Sequence, residues 1–233
     1  CSKAQRPTDR PFECGRRDGS SRKRRHFMNP SPTSKYRMSF GTGGLFLNES
    51  VVIARLFQEM GDWSSVKRAA AASAVIPFKK QSSVTRSVRE IANRLEVLRA
   101  EEIEMLAHGD YHDQLSVLWL ALCRSYRFIG EFAAELVSER FLSFRTHLTY
   151  DDFDAFFAAK AEWDPDLEQI SVSTREKLRQ VLFRLMREAG ILGKDDHICR
   201  ALLSPRFADM VSASDRKEMR FFPGAENAGL KGS

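Results

Sequence analysis

The sequence lacks the features that identify membrane proteins, disulfide-rich proteins and metal-binding proteins. No apolar run approaches the roughly 18–20 residues that a membrane-spanning helix requires. The four cysteines form no CxxC pair and no regular spacing, so neither a zinc site nor a disulfide framework is indicated. No alternating apolar and polar run reaches the length of a strand. We therefore expect a cytoplasmic protein without a cofactor, a metal ion or a membrane contact.

Patterns of catalytic residues are also missing. The segment Gly41–Gly44 lacks the Lys-Ser/Thr pair that completes a phosphate-binding loop. His108 and His112 have a spacing that can bind zinc on a helix, but the Gly-Asp pair between them predicts a helix break. The acidic cluster Asp151–Asp154 fits the N-terminus of a helix, which favours negative charge. We therefore expect no enzyme activity and no small-molecule substrate.

The net charge of +6 arises at the beginning of the chain. Residues 1–37 contain eleven Lys or Arg and three acidic residues, whereas residues 38–233 contain 26 basic and 28 acidic residues. The first segment has few apolar residues and no helical period, so it cannot bury enough surface to become ordered. We interpret residues 1–37 as a disordered basic tail or a non-native extension. The alternative is a basic arm that contacts DNA phosphates through Arg22–Arg25.

From Leu45 onward the apolar residues recur at helical spacing. The pattern predicts helices over approximately 48–60, 63–75, 83–99, 100–108, 111–124, 127–141, 150–163 and 173–189, and a short one from 205. Residues predicted to cap helices are Asn48, Thr149 with Asp152, Ser173 with Glu176, and Ser204 before Pro205. The predicted fold class is all-α, a multi-helix globular protein with two helix-turn-helix-like units. These units occupy 38–108 and 109–220, and 221–233 is a flexible C-terminus.

Charge is segregated along the folded part of the chain. Residues 76–99 contain six basic and two acidic residues, and residues 171–200 contain seven basic and four acidic residues. Between them, residues 100–170 contain five basic and fifteen acidic residues. Two basic islands therefore flank an acidic middle, and each island contains one amphipathic helix with a basic outer face.

The first basic helix follows two other helices, in an order that suits a helix-turn-helix-like unit with its last helix in the major groove of DNA. Its apolar stripe runs from Val84 to Leu98, and the opposite face is basic. Arginine can pair with guanine and asparagine with adenine, and a helix N-terminus attracts phosphate. The predicted DNA contacts here are Lys79, Lys80, Ser82, Arg86, Arg89 and Asn93.

The second basic helix has hydroxyl groups at its N-terminus, where phosphate contacts are common. The predicted DNA contacts here are Ser173, Thr174, Arg175, Lys177, Gln180, Arg184 and Arg187. Both basic faces have a simpler interpretation, because basic helix faces are often only solvated. Glu90, Glu96, Glu176 and Glu188 could form ion pairs with these cations at helical spacing.

Five segments of the chain resemble the BrxA family of bacteriophage-exclusion (BREX) defence systems. They are Ser39–Phe46, Gly61–Trp63, Ser87–Leu95, Leu118–Tyr126 and Lys177–Leu192, within a region of about residues 38–212. The resemblance implies an all-helical cytoplasmic protein with two helix-turn-helix units that binds double-stranded DNA. It also implies partner proteins that include a methyltransferase, an ATPase and a phosphatase-like protein. It brings no catalytic motif to this chain.

The leading hypothesis is therefore an accessory protein of phage defence that binds double-stranded DNA through two basic helix faces. Two alternatives remain at this stage. A non-catalytic helical adaptor would use the acidic middle of the chain, including Glu131, Glu135 and Glu139, to assemble other defence proteins. An RNA-binding helical protein would use similar basic faces for a different nucleic acid.

Overall fold

Helices make up the regular structure of residues 35–41, 43–72 and 81–225, which are the residues that the computed structural model describes. The helices are α1 (Leu47–Met60), α2 (Trp63–Ala72), α3 (Gln81–Leu95), α4 (Ala100–His108), α5 (Tyr111–Ser125), α6 (Arg127–Glu131), α7 (Ser138–Leu142), α8 (Tyr150–Ala161), α9 (Pro165–Glu168), α10 (Val172–Glu188) and α11 (Pro205–Asp215). A π segment (Phe132–Val137) joins α6 to α7, and a 3₁₀ helix (Arg216–Phe221) follows α11. The predicted all-α class is confirmed.

Two of the four predicted helix caps are confirmed and two are wrong. The Thr149 hydroxyl accepts from the Asp152 backbone N–H, and Ser204 accepts from Phe207 N–H. Asn48 is not a cap, because α1 begins one residue earlier, after Phe46. Ser173 is not a cap either, because Ser171, two residues before it, accepts from Thr174 N–H and caps α10.

The first three helices pack against one another. Gly61 ends α1 in the left-handed region, at φ 70°, where glycine is favoured. The next residue, Asp62, caps α2 by accepting from the Ser65 backbone N–H at 2.7 Å. The connection from α2 to α3 lies outside the described residues, as do the predicted contacts Lys79 and Lys80.

One continuous core extends from Phe40 to Ala225. The apolar helix α5 lies in it, and its Trp119 is enclosed and donates its indole N–H to the Phe221 carbonyl at 2.8 Å. The described residues from 35 to 225 belong to one compact unit, and the division into 38–108 and 109–220 stays a prediction. No described helix combines the length and the apolar character needed to cross a membrane.

A buried network of charged side chains joins α4, α5 and the 3₁₀ helix. Arg124 of α5 donates through Nη1 to Glu102 of α4 at 2.6 Å and through Nε to Glu218 at 2.7 Å. Glu102 is fully buried, and it also accepts from the backbone N–H of Arg99, at the start of its own helix. The guanidinium and the two carboxylates therefore neutralise one another's charge and provide one another's hydrogen bonds inside the protein.

Acid is expected to destabilise the fold partly through Glu102. Burial opposes ionisation, but the hydrogen bonds and the charge of Arg124 outweigh it, so the pKa of Glu102 lies below its ordinary value. The stabilisation is therefore complete above the unfolded-state pKa of about 4.3 and is lost as the pH falls through the lower folded-state pKa. Denaturant unfolding at several pH values between about 6 and 3 should show a smaller acid-induced loss for Glu102→Gln than for the parent protein. Equal losses would contradict this.

Candidate nucleic-acid interface

The segment before α1 lies between the two basic helices. Arg94 of α3 donates to the carbonyl of Gly44 at 2.9 Å, and Arg184 of α10 donates to the carbonyl of Gly43. Glu188 of α10 accepts from the backbone N–H of Leu45. We call residues Gly43 to Leu45 the glycine clasp, because this short segment joins two helices that are distant in the sequence.

Glycine is needed in the clasp for conformational and steric reasons. Gly43 has a φ of 88°, which side-chain-bearing residues rarely adopt, and a Cβ there would lie 2.3 Å from the Phe46 ring. A Cβ at Gly44 would lie 2.8 Å from the carboxylate of Glu188. The local sequence therefore permits the close approach of the backbone to α10.

The outer face of α3 presents two arginines to solvent. Val84, Val88 and Ile91 are buried, as the apolar stripe predicts, and Arg86 and Arg89 on the other side are exposed. Within 35–41, 43–72 and 81–225, neither arginine has an ion pair. These two side chains are therefore the exposed cations of this helix face.

The nearest carboxylate in sequence does not neutralise these arginines. Glu90 turns away from Arg86, accepting from Arg94 Nε at 2.8 Å and from the Tyr126 hydroxyl. Burial and this hydrogen bond to Glu90 raise the pKa of Tyr126, so that the hydroxyl keeps its proton and remains a donor. The ion pair that helical spacing allows between Glu90 and Arg86 is thus replaced by a contact toward the core.

Asn93 and Ser82 differ in their surroundings. The Asn93 side-chain oxygen accepts from Lys67 of α2 at 3.0 Å, and Lys67 also pairs with Glu96 at 2.6 Å. Ser82 is exposed at the first turn of α3. The amide that could pair with adenine is therefore engaged by a neighbouring helix in the free protein.

On the basic face of α10, more of the predicted cations have partners within the protein than on the basic face of α3. Lys177 and Gln180 are exposed, but the three predicted arginine contacts have partners. Arg184 contacts the glycine clasp, Arg187 pairs with an aspartate that follows the helix, and Arg175 lies 3.5 Å from an aspartate of α8. Among the predicted contacts of the second island that the structure describes, Lys177 is thus the exposed cation without an ion pair.

A groove of about 400 Å³ lies at the N-terminal end of α10. Its wall combines hydroxyl groups, one ammonium group and two apolar side chains. The lining residues are Met38, Ser39, Gly41, Ser173, Thr174, Lys177 and Leu178. The predicted contacts Ser173, Thr174 and Lys177 thus share one concave surface. Sequence reasoning missed the contribution of Met38 and Ser39, because that segment has no periodic signal.

The acidic middle of the chain is used largely within the protein. Lys160 of α8 pairs with Glu131 at 2.7 Å and with Glu135 at 2.8 Å, and Arg127 pairs with Glu131 at 2.6 Å. Tyr36 donates its hydroxyl to Glu131, which fastens the N-terminal segment to α6. Burial and this hydrogen bond raise the pKa of Tyr36 well above its ordinary value.

Fold and surface together define an all-helical protein in which a glycine clasp joins two basic helices. A sequence model of the BrxA family matches residues 34–215. The chain therefore belongs to the BrxA family, as the resemblance of its segments predicts.

Two curated relatives agree with this assignment. BREX protein BrxA of Bacillus cereus (strain H3081.97) is 27% identical over 143 residues, 61% of this chain and 70% of that protein. BREX protein BrxA of Paramagnetospirillum magneticum (strain ATCC 700264 / AMB-1) is 25% identical over 158 residues, 68% of this chain and 79% of that protein. The crystal structure of an uncharacterized protein from Magnetospirillum magneticum has the same fold, with a TM-score of 0.66 at 24% identity over 80% of this chain and 97% of that one.

Proposed function

We propose that this chain is a non-catalytic, double-stranded DNA-binding accessory protein of a BREX phage-defence system, acting in the cytoplasm beside other BREX proteins. Membership of the BrxA family and the names of the relatives support the defence role. One observation carries the DNA-binding role: Arg86 and Arg89 are exposed on one face of α3, while the adjacent Glu90 turns toward the core. Two exposed cations three residues apart suit the phosphates and guanine edges of a duplex.

In the proposed complex, α1 to α3 act as a helix-turn-helix-like unit with α3 in the major groove. Arg86 and Arg89 displace the cations that surround the duplex, which supplies most of the affinity. Asn93 would exchange its contact with Lys67 for an adenine edge.

The groove at the start of α10 would bind the sugar-phosphate backbone. Its hydroxyl groups on Ser39, Ser173 and Thr174 can donate to phosphate oxygens, and Lys177 supplies a positive charge. The proposed contacts Arg175, Arg184 and Arg187 would have to exchange their internal partners for phosphate. We therefore expect Lys177 to contribute more to the affinity than any of these three arginines.

The decisive experiment compares two double variants of the full chain in gel-shift titrations with duplex DNA. Arg86→Ala/Arg89→Ala should raise Kd about tenfold or more and reduce the slope of log K against log salt by about 2, because two phosphate or base contacts are lost. Arg216→Ala/Lys217→Ala removes the same charge from exposed positions of the 3₁₀ helix and should change Kd less than threefold, on the order of a surface substitution.

Because the basic tail is present in both variants, its contribution cancels from the comparison. Equal effects of the two double variants, or binding that is indifferent to salt, would contradict the proposal. Competition with structured RNA distinguishes the RNA-binding alternative, which predicts that RNA displaces the duplex at lower concentration.

The adaptor alternative would use acidic residues that already have partners within the protein. It depends on Glu131, Glu135 and Glu139 as a surface for protein partners, but the first two pair with Lys160 and the third lies 3.6 Å from Arg220. Recovery of other defence proteins at high salt, together with absent DNA binding by the isolated chain, would favour the adaptor alternative.

A further inference from the structure

Phe144, between α7 and α8, is exposed in an unusual way. Its side chain is 93% exposed, so it gains almost nothing from burial. Its backbone has a φ of 57°, in the left-handed region that bulky residues avoid. The backbone N–H of Phe144 donates to the Phe141 carbonyl at 3.1 Å, which fixes this conformation. The fold therefore holds a large aromatic ring in water on a strained backbone, an arrangement that is typical of functional positions.

Two exposed arginines belong to the chain segments that follow this ring and pair with each other. The chain after Phe144 runs antiparallel to residues 196–198, with Ile198 N–H donating to Thr146 O at 2.8 Å and Leu148 N–H donating to Asp196 O at 2.9 Å. Arg200 lies two residues beyond this pairing, near the end of α7: a Cβ at Gly224 would lie 2.7 Å from the Phe141 ring and 3.1 Å from Cγ of Arg200. Arg200 and Arg145 are both exposed, and neither has an ion pair within the ranges that the structure describes.

A second exposed aromatic residue provides a contrast. Trp163 is 87% exposed but is followed by Asp164, which caps α9, and preceded by Glu162. Its backbone φ is not positive, and its neighbours carry negative charge. Exposure of an aromatic ring alone therefore does not make a surface for a polyanion, whereas Phe144 is followed by an exposed cation, Arg145.

We propose that Phe144 inserts between adjacent base pairs of bound duplex DNA, while Arg145 and Arg200 contact the phosphates on either side. Aromatic and aliphatic wedges in DNA-binding proteins partly unstack a base step and kink the duplex. The two arginines favour nucleic acid as the occupant, because an apolar protein partner would leave their charges without counter-ions. This inference rests on the proposed function and adds to it a third contact, outside both basic helices.

The test uses the full chain and a short duplex with a fluorescent donor and acceptor at its ends. The parent protein should shorten the end-to-end distance, and Phe144→Ala should abolish the shortening and raise Kd about tenfold, the usual cost of losing one aromatic stacking contact. Phe144→Trp should retain both properties. Trp163→Ala, the matched control, should behave like the parent protein. Circular dichroism and the melting temperature verify that Phe144→Ala is folded.

The results separate this inference from the function on which it rests. If the parent protein binds no duplex at all, the proposed function fails. A different result overturns the insertion of Phe144 alone. In that result the parent protein binds the duplex and Arg86→Ala/Arg89→Ala weakens this binding, but Phe144→Ala changes neither the affinity nor the end-to-end distance. A Phe144→Ala variant that loses self-association in sedimentation but keeps parental DNA binding also overturns it, and assigns the ring to contact with a protein.

Discussion

Arg124→Ala is expected to lower the free energy of unfolding by about 3–5 kcal/mol, because it leaves buried carboxylates without their counter-ion. The guanidinium contacts Glu102 and Glu218 together, and its own side chain is only 11% exposed. Its burial disfavours the charged form, but the hydrogen bonds and charges of the two carboxylates raise the pKa of Arg124 above its ordinary value. Glu102 is fully buried, so its carboxylate cannot recover hydration unless the helices around it separate.

Denaturant unfolding measures this change, and Arg99→Ala is the matched control. Arg99 approaches the same carboxylate of Glu102, at 3.4 Å, but its side chain is 34% exposed. Such a partly hydrated pair contributes about 1 kcal/mol or less. Equal losses for the two variants would mean that the buried network does not stabilise this fold.

The second large effect is expected from Phe128→Ala, which should cost about 3–5 kcal/mol through lost burial and an unfilled cavity. Phe128 is fully buried at the centre of an aromatic cluster. The rings within contact of it are Tyr36, Phe40, Phe132, Phe153, Phe156 and Phe157. Because these rings come from the N-terminal segment, the π segment and α8, no single element can move to fill the space.

The control for this variant is Phe144→Ala, which removes the same ring from a position where it is exposed. Its effect on the free energy of unfolding should stay within about 0.5 kcal/mol, as for other surface substitutions. Thermal and denaturant unfolding of both variants would test the contrast. A loss at Phe144 comparable to that at Phe128 would show that the exposed ring packs against the protein.

The sequence predicts helices well where the apolar period and the cap agree. Helix α4 has the predicted bounds, and Thr149 and Ser204 act as the predicted caps. The start of α1 could not be predicted, because Phe46 in a left-handed conformation precedes it and the adjoining Leu45 N–H is held by Glu188 of α10. The π segment has no local signal either, since its residues fit a regular helical period equally well.

The sequence predicts which helix faces form the candidate interface, but not which residues within the protein bind the side chains on those faces. Helical geometry at 100° per residue sufficed to predict that Arg86 and Arg89 lie opposite the buried stripe. It could not predict that Lys67 binds Asn93 from 26 residues away or that Arg184 binds Gly43 from 141 residues away. Such contacts depend on how the helices pack, which the period of any one helix does not encode.

The glycine clasp has a consequence for avidity. Arg94 of α3 donates to the Gly44 carbonyl and Glu188 of α10 accepts from the Leu45 N–H, so one short segment links the two helices even when Arg184 turns to phosphate. In the proposed mode, a duplex captured by one helix meets the other at a preset separation, and the second contact becomes an intramolecular event with a high effective concentration. Affinity should then rise abruptly once the duplex is long enough to reach both helices, and only gradually beyond that length.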